Sequence, residues 1–241
     1  MKTSHLPAAL ALAMSFSTAS LFSATPGSDG ADSPAYQKSP AWAGGENGGT
    51  GFVGWNLVGN GEPVSDRGFF LGDSRPINSD INSASGQAFG LFAKGKGNSA
   101  SAYRTFDEPL EVGQTFSVVM AVNFRSGHKG IDLRTPSSDG ERVIFNLNIG
   151  ADDYVVSKAA TGNGSLGSTY DSKTAFKVSF KQTSPTGGEW TVVRSGGISS
   201  TSTGTYEGLA AGVKFYVRDT DGGKENDLWI NHLAISGSTT P

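Results

Sequence analysis

The densest set of potential ligand atoms in the chain is the run Asp219-Thr220-Asp221-Gly222-Gly223-Lys224-Glu225-Asn226-Asp227. Calcium takes about six to eight oxygens, often from Asp, Asn and backbone carbonyls in a glycine-containing loop. Strands ending at Val217 and starting at Leu228 would bring the ends of this loop together and crowd Asp219, Asp221 and Asp227. Crowded carboxylates repel, and a divalent cation relieves the repulsion. The spacing is not that of an EF-hand, and Lys224 can neutralise the cluster from within. Calcium at Asp219, Asp221 and Asp227 is one expectation; a solvated hairpin loop is the other.

Catalytic arrangements are harder to find. Outside the N-terminal segment the histidines are His128, in the polar turn Ser126-Gly127-His128-Lys129-Gly130, and His232, in a predicted strand. No Gly-x-Ser-x-Gly elbow is present. No Glu-x-Asp-x-x-Glu strand aligns carboxylates on one face for glycoside hydrolysis. Asp152 and Asp153 are adjacent and fit a turn before Tyr154. No catalytic residue is assigned, and a non-enzyme is expected.

Sugar binding needs exposed rings flanked by planar polar groups, because sugars stack their C–H faces and hydrogen-bond their hydroxyls. Trp42, Tyr154, Tyr170 and Tyr206 lie in or near predicted loops and are the candidate carbohydrate-binding residues. Trp55, Trp190 and Trp229 fall in alternating strands and are expected in the core.

The elements that must carry these residues are short strands. Phe116, Val118, Met120, Val122 and Phe124 give the clearest period-two pattern, which predicts one shared inner face. Val143, Phe145, Leu147 and Ile149 repeat it after the turn Ser138-Asp139-Gly140. Phe176, Val178 and Phe180 precede Thr186-Gly187-Gly188, a hairpin turn, and Trp190 and Val192 follow it. Val213, Phe215 and Val217 form another strand. In the last one, period two places Trp229, Asn231, Leu233 and Ile235 on a single face. Asn231 would then be buried and would bond backbone groups. Ten or more such strands predict an all-β, two-sheet antiparallel jelly-roll sandwich.

Three segments carry a family resemblance. They are Phe89-Gly90-Leu91-Phe92-Ala93 followed by Asn98 to Phe106; Leu110-Glu111-Val112-Gly113-Gln114-Thr115-Phe116; and Asn226 to Ile235. Together they resemble bacterial extracellular β-sandwich modules of the concanavalin-A-like or laminin-G-like jelly-roll type. Such modules stand alone or are appended to secreted polysaccharide-degrading enzymes. The resemblance implies fold and an extracellular setting, and it transfers no catalytic residue. Physically, Gly113 supplies a turn between two apolar runs.

Composition fits this reading. The chain has 241 residues, 34 glycines and no cysteine, with a formal net charge of −3. Its basic residues do not cluster, so no nucleic-acid partner is expected. After the N-terminus no stretch is apolar enough for a membrane helix, so no membrane insertion is expected. Lys2, the apolar run Leu6 to Phe16 and the small residues to Ala19 read as a signal peptide over 1–19, with Ala24 as an alternative cleavage point. Residues 20–48 are expected as a flexible arm rich in Gly, Ser and Pro, 49–236 as the sandwich and 237–241 as a polar tail. The expected setting is extracellular, or periplasmic. The leading functional expectation is a non-catalytic polysaccharide-binding module. The alternatives are a self-associating cell-surface matrix protein and a jelly-roll glycan hydrolase or lyase.

Overall fold

The computed structural model describes residues 26–38, 42–137 and 140–237. The expected signal peptide, the turn at Ser138-Asp139 and the end of the tail lie outside the described residues. The chain forms a two-sheet antiparallel jelly-roll sandwich. One sheet contains β1 (Gly27–Asp29), β3 (Arg67–Gly72), β4 (Ala88–Ala93), β6 (Thr115–Ala121), β11 (Ala175–Ser184), β12 (Gly187–Ser195), β13 (Ser200–Glu207) and β15 (Leu228–Ser236). Its order is β13-β12-β11-β6-β15-β4-β3, with β1 also paired to β15. The other contains β2 (Asn56–Asn60), β5 (Ser99–Thr105), β7 (His128–Arg134), β8 (Val143–Asn148), β9 (Val155–Ser157), β10 (Gly164–Ser165) and β14 (Gly212–Arg218). Its order is β10-β9-β8-β7-β14-β5-β2.

Alternation builds the core. In β6, Phe116, Val118 and Met120 point between the sheets and are fully buried. Phe145 of β8 meets Phe180 of β11 edge-on at 4.9 Å and Trp190 of β12 at 5.3 Å, joining the sheets. Gly113 sits at φ +93°, in the left-handed region its turn requires. Phe124 departs from expectation. It lies beyond the end of β6, where the alternation has no sheet to follow, and is 49% exposed.

The last strand also departs. β15 shifts register between Asn231 and Ala234, and His232 takes φ +56°. This bulge reverses the phase of the strand. Leu228 and Ile230 face the core before it, and Leu233 and Ile235 after it. Trp229 and Asn231 are therefore on the outer face, where Trp229 packs with Ile81, Ala88, Phe70 and Val119. Asn231 is fully buried there. It accepts from Ala31 N and donates to the carbonyls of Ile81 and Gln87, so its expected role toward the backbone stands.

The described part of residues 20–48 is not a flexible arm. β1 pairs with β15, Gly27 opposite Ile235. Tyr36 is fully buried; its hydroxyl donates to Asp29 and accepts from Gly48 N and Trp55 Nε1. Trp42 packs edge-on against Trp55 at 4.6 Å and at a tilt against Phe89 at 4.7 Å. The Gly- and Ser-rich composition misleads here because local contacts such as Tyr36 with Asp29 are joined by distant ones, Asp29 to Arg104 and Trp42 to Phe89.

Candidate functional site

The polar half of the alternation assembles the site. In β7, Ile131 and Leu133 face the core, so His128, Asp132 and Arg134 face outward. In β14, Val213, Phe215 and Val217 are buried, so Lys214, Tyr216 and Arg218 face outward. Register then aligns these residues across strands. One row runs Asn56, Tyr103, Lys214, Asp132, Asn146, Ser157 from β2 to β9. The next contains Ser101, Tyr216, Gly130 and Asn148, and a third pairs Ser99 and His128 with Arg218.

The central row is interlocked. Lys214 Nζ lies 2.5 Å from Asp132 Oδ2. Asn146 Nδ2 donates to Asp132 Oδ1 at 2.8 Å and to the Tyr216 hydroxyl at 2.8 Å, and its Oδ1 accepts from Ser157 at 3.1 Å. Both amide hydrogens of Asn146 are thereby used, which fixes its orientation. Gly130 makes room for this arrangement: a Cβ there would lie 2.9 Å from the Tyr216 oxygen and 1.9 Å from Leu147 O. Burial raises the Tyr216 pKa above its ordinary 10, with the Asn146 hydrogen bond opposing. The phenol therefore stays protonated at neutral pH, and its own hydrogen is free to donate away from Asn146. His128, Arg218, Ser99, Ser101 and Asn148 border the same pocket of about 430 Å³. Asn148 Oδ1 is engaged by Lys129 N and Gly150 N, which leaves its amide hydrogens for a ligand. The pocket thus presents mainly donors, and Asp132 is the one carboxylate among its described lining residues.

Phe124, four residues before His128 in the chain, forms a pair of exposed rings with Tyr170. Phe124 and Tyr170 meet edge-on at 5.8 Å and border a shallow recess with Arg125 and Asp152. The Tyr170 hydroxyl donates to Asn123. Tyr170 is thus accessible, as a sugar platform requires. The other three sequence candidates are not. Trp42, Tyr154 and Tyr206 are each at most 2% exposed. Tyr154 packs edge-on against Phe176 and lies under Arg194, and Tyr206 donates to Gln182 Oε1. Rings placed in loops by sequence fold back because each meets a core partner.

The three aspartates of the acidic loop do not form a ligand set. Asp219 accepts from Gly97 N at 2.7 Å, and the Asp221 backbone N–H donates to Ser126. Asp227 is buried at the head of β15. Among the described residues no group of three or more His, Cys, Asp or Glu is placed to hold a metal ion. Thr220 pairs with Lys94, which holds the loop against the end of β4.

The sequence reading missed Lys214, Tyr216, Asp132 and Asn146, and it put His128 in a turn where the structure begins β7. The signal was the same alternation that revealed the core, read on its polar side. No family model matches the chain, and no curated protein matches it. Solved structures with similar architecture include the catalytic domain of the glycoside hydrolase family 131 protein from Coprinopsis cinerea, 11% identical over 76% of this chain and 82% of that one, with a TM-score of 0.44. Lectin I-B4 from Griffonia simplicifolia is 9% identical over 76% of this chain and 99% of its own, with a TM-score of 0.39. The PL-14 alginate lyase from Aplysia kurodai is 11% identical over 70% of this chain and 90% of its own, with a TM-score of 0.38. At such identities and scores the likeness stops at overall architecture.

Proposed function

We propose that the protein binds polysaccharide, without cleaving it, on the outer face of its seven-stranded sheet. The setting is extracellular, to which the N-terminal Lys2 and Leu6-to-Phe16 segment would direct it. The observation that carries this reading is the interlocked row Lys214–Asp132–Asn146–Tyr216 bordering a donor-rich pocket. Sugar hydroxyls and ring oxygens are acceptors for the Tyr216 hydroxyl, the Asn148 amide and Arg218. The exposed Phe124 and Tyr170 rings border a separate recess that reaches Gly127, next to His128 in the chain, and offer faces for sugar C–H groups. Preorganisation by the saturated Asn146 amide limits the ordering cost of binding.

Hydrolysis takes two carboxylates about 5–9 Å apart. Asp132 has no second carboxylate in its pocket, and it is tied to Lys214 and Asn146. A tyrosine base for elimination wants a lowered pKa, and that of Tyr216 is raised. Both points support binding rather than catalysis. The test is co-sedimentation with a panel of insoluble plant, algal and bacterial polysaccharides and affinity electrophoresis with soluble ones. Retention that is lost in Tyr216→Phe and Lys214→Met supports the proposal. No retention on any polymer, or equal retention of both variants, refutes it. Reducing ends released from a retained polymer would replace binding by hydrolysis.

A further inference from the structure

A second cavity lies on the opposite sheet, at the edge formed by β3, β4 and β15, and measures about 640 Å³. It exists because the bulge in β15 turns Trp229 to the outer face. Phe70 of β3 meets the Trp229 ring edge-on at 5.1 Å and the Phe92 ring at 6.2 Å, so three aromatic rings wall the space. Pro76 and Ile77 close one side, and the loop from Thr220 to Asp227 closes the other.

Two polar groups on this wall lack partners within the described residues, one of them a buried atom. The Trp229 indole N–H makes no hydrogen bond among the described residues, although the side chain is only 2% exposed. Asp227 is 6% exposed, and no hydrogen bond or ion pair from the described residues reaches its carboxylate. The carboxylate is thus left unpaired at the cavity wall, where a ligand that brings a charged donor can pair it. Lys129 does not fill this role, since its ammonium donates to Phe124 O at 2.5 Å and lies 3.5 Å from Asn226 Oδ1. The remaining charges on the wall favour a cation. Asp73 is occupied by Arg75, which leaves Asp66, Asp221 and Asp227 against the exposed Lys94 and Lys224.

We propose that this cavity binds a small organic ammonium ion with an apolar body. The ammonium sits on Asp227, and the body lies against Phe70, Phe92 and Trp229. The volume is in the range of small-molecule sites. Aromatic walls attract cations through their ring faces, more strongly once water is excluded. The rings also reward an apolar body, which a free inorganic cation does not have. The site is separate from the polysaccharide face and does not depend on that reading.

Titration calorimetry of the full chain at pH 8 with 2-phenylethylammonium tests the proposal, with 2-phenylethanol and 3-phenylpropionate as neutral and anionic counterparts. The ammonium is expected to bind about tenfold or more tighter than the alcohol, and the carboxylate not to register. In Asp227→Asn the ammonium falls to the level of the alcohol. Phe70→Ala, which alters a partly buried wall residue and leaves Asp227 in place, weakens both ligands and keeps their ratio. Tyr216→Phe leaves all three titrations unchanged. Equal affinity of ammonium and alcohol, a preference that survives Asp227→Asn, or no heat at millimolar concentration overturns the proposal. If Asp227→Asn does not fold by circular dichroism, Phe70→Ala decides: unchanged ammonium affinity overturns the proposal, and weakened affinity sustains it.

Discussion

Arg104 of β5 and Asp29 of β1 form an ion pair at 2.7 Å with neither side chain exposed, and it ties the N-terminal strand to the opposite sheet. Arg104 also donates to Asn47 and Val53 O, and its guanidinium lies 4.8 Å from the Trp55 ring and 5.0 Å from the Phe52 ring. Asp29 accepts from the Tyr36 hydroxyl besides. Burial raises the Asp29 pKa, and Arg104 works against that rise. Removing one partner of such a pair leaves a buried charge uncompensated. Arg104→Met is expected to cost about 3–5 kcal/mol in urea unfolding, and Arg104→Met with Asp29→Leu to cost less than the single change. A single variant within about 1 kcal/mol of wild type would show that the pair is not dry.

Core facing gives a second prediction. Phe116→Ala removes a fully buried ring that lies between Phe106 and Phe180, and should cost about 3–5 kcal/mol. Phe124→Ala, past the end of the strand, should cost less than about 1 kcal/mol, as most surface changes do. Equal urea midpoints for the two would place the end of β6 wrongly.

Binding and stability should separate at Tyr216. Tyr216→Phe keeps the ring and removes the free hydroxyl donor. The expected result is at least about tenfold weaker polysaccharide retention with a stability loss near 1 kcal/mol, the usual worth of one hydrogen bond. Retention that falls only in step with the melting temperature would make the hydroxyl structural.

Lys129 and Asp227 make stability depend on pH. Burial lowers the Lys129 pKa from 10.5 to about 7, with the charges of Asp227, Asp221 and Glu225 opposing. Burial raises the Asp227 pKa from 3.8 to about 7; Lys129 and Lys224 oppose the rise and Glu225 adds to it. Between about pH 4 and 7 the folded carboxyl holds a proton that the unfolded one lacks, so its contribution falls as pH rises. Between about pH 7 and 10 the unfolded lysine holds a proton that the folded one lacks, so stability recovers as pH rises. The pair should therefore place a dip in melting temperature near neutrality. Lys129→Met with Asp227→Asn should flatten it, and a wild-type profile no deeper at pH 7 than the variant's would disprove the coupling.

The residues show why some of this was readable from sequence and some was not. Period two identified the inner faces of β6, β11 and β14 along Phe116–Met120, Phe176–Phe180 and Val213–Val217, and that of β8 only from Phe145 onward, because a register shift at its start puts Ile144 rather than Val143 in the core. It failed in β15, where a single extra residue at His232 reverses the faces and nothing in Leu228-to-Ile235 marks the bulge. Composition also misjudged the segment around Asp29, Tyr36 and Trp42, whose partners Arg104, Trp55 and Phe89 lie far along the chain. The proposed polysaccharide face depends on register between β14, β7 and β8, which local pattern does not specify. Tyr170 was legible because a loop ring with no core partner stays at the surface. Tyr154 and Tyr206 looked the same in sequence and folded inward.

The pairing of β1 with β15 has a consequence for how the protein comes into being. Ala31 and Asn231, 200 residues apart, are joined by a hydrogen bond, and Gly27 lies opposite Ile235. A chain made from its N-terminus holds the first strand with only the Ser28–Thr50 bridge beside it until the last has emerged. Contacts of this span are slow to form, because loop closure must precede any gain from packing. Nascent chains that stop short of Leu228 should therefore remain protease-sensitive, and resistance should appear in one step once Ile235 is free to pair. A resistant core in shorter chains would mean that the sandwich can close without its final seam.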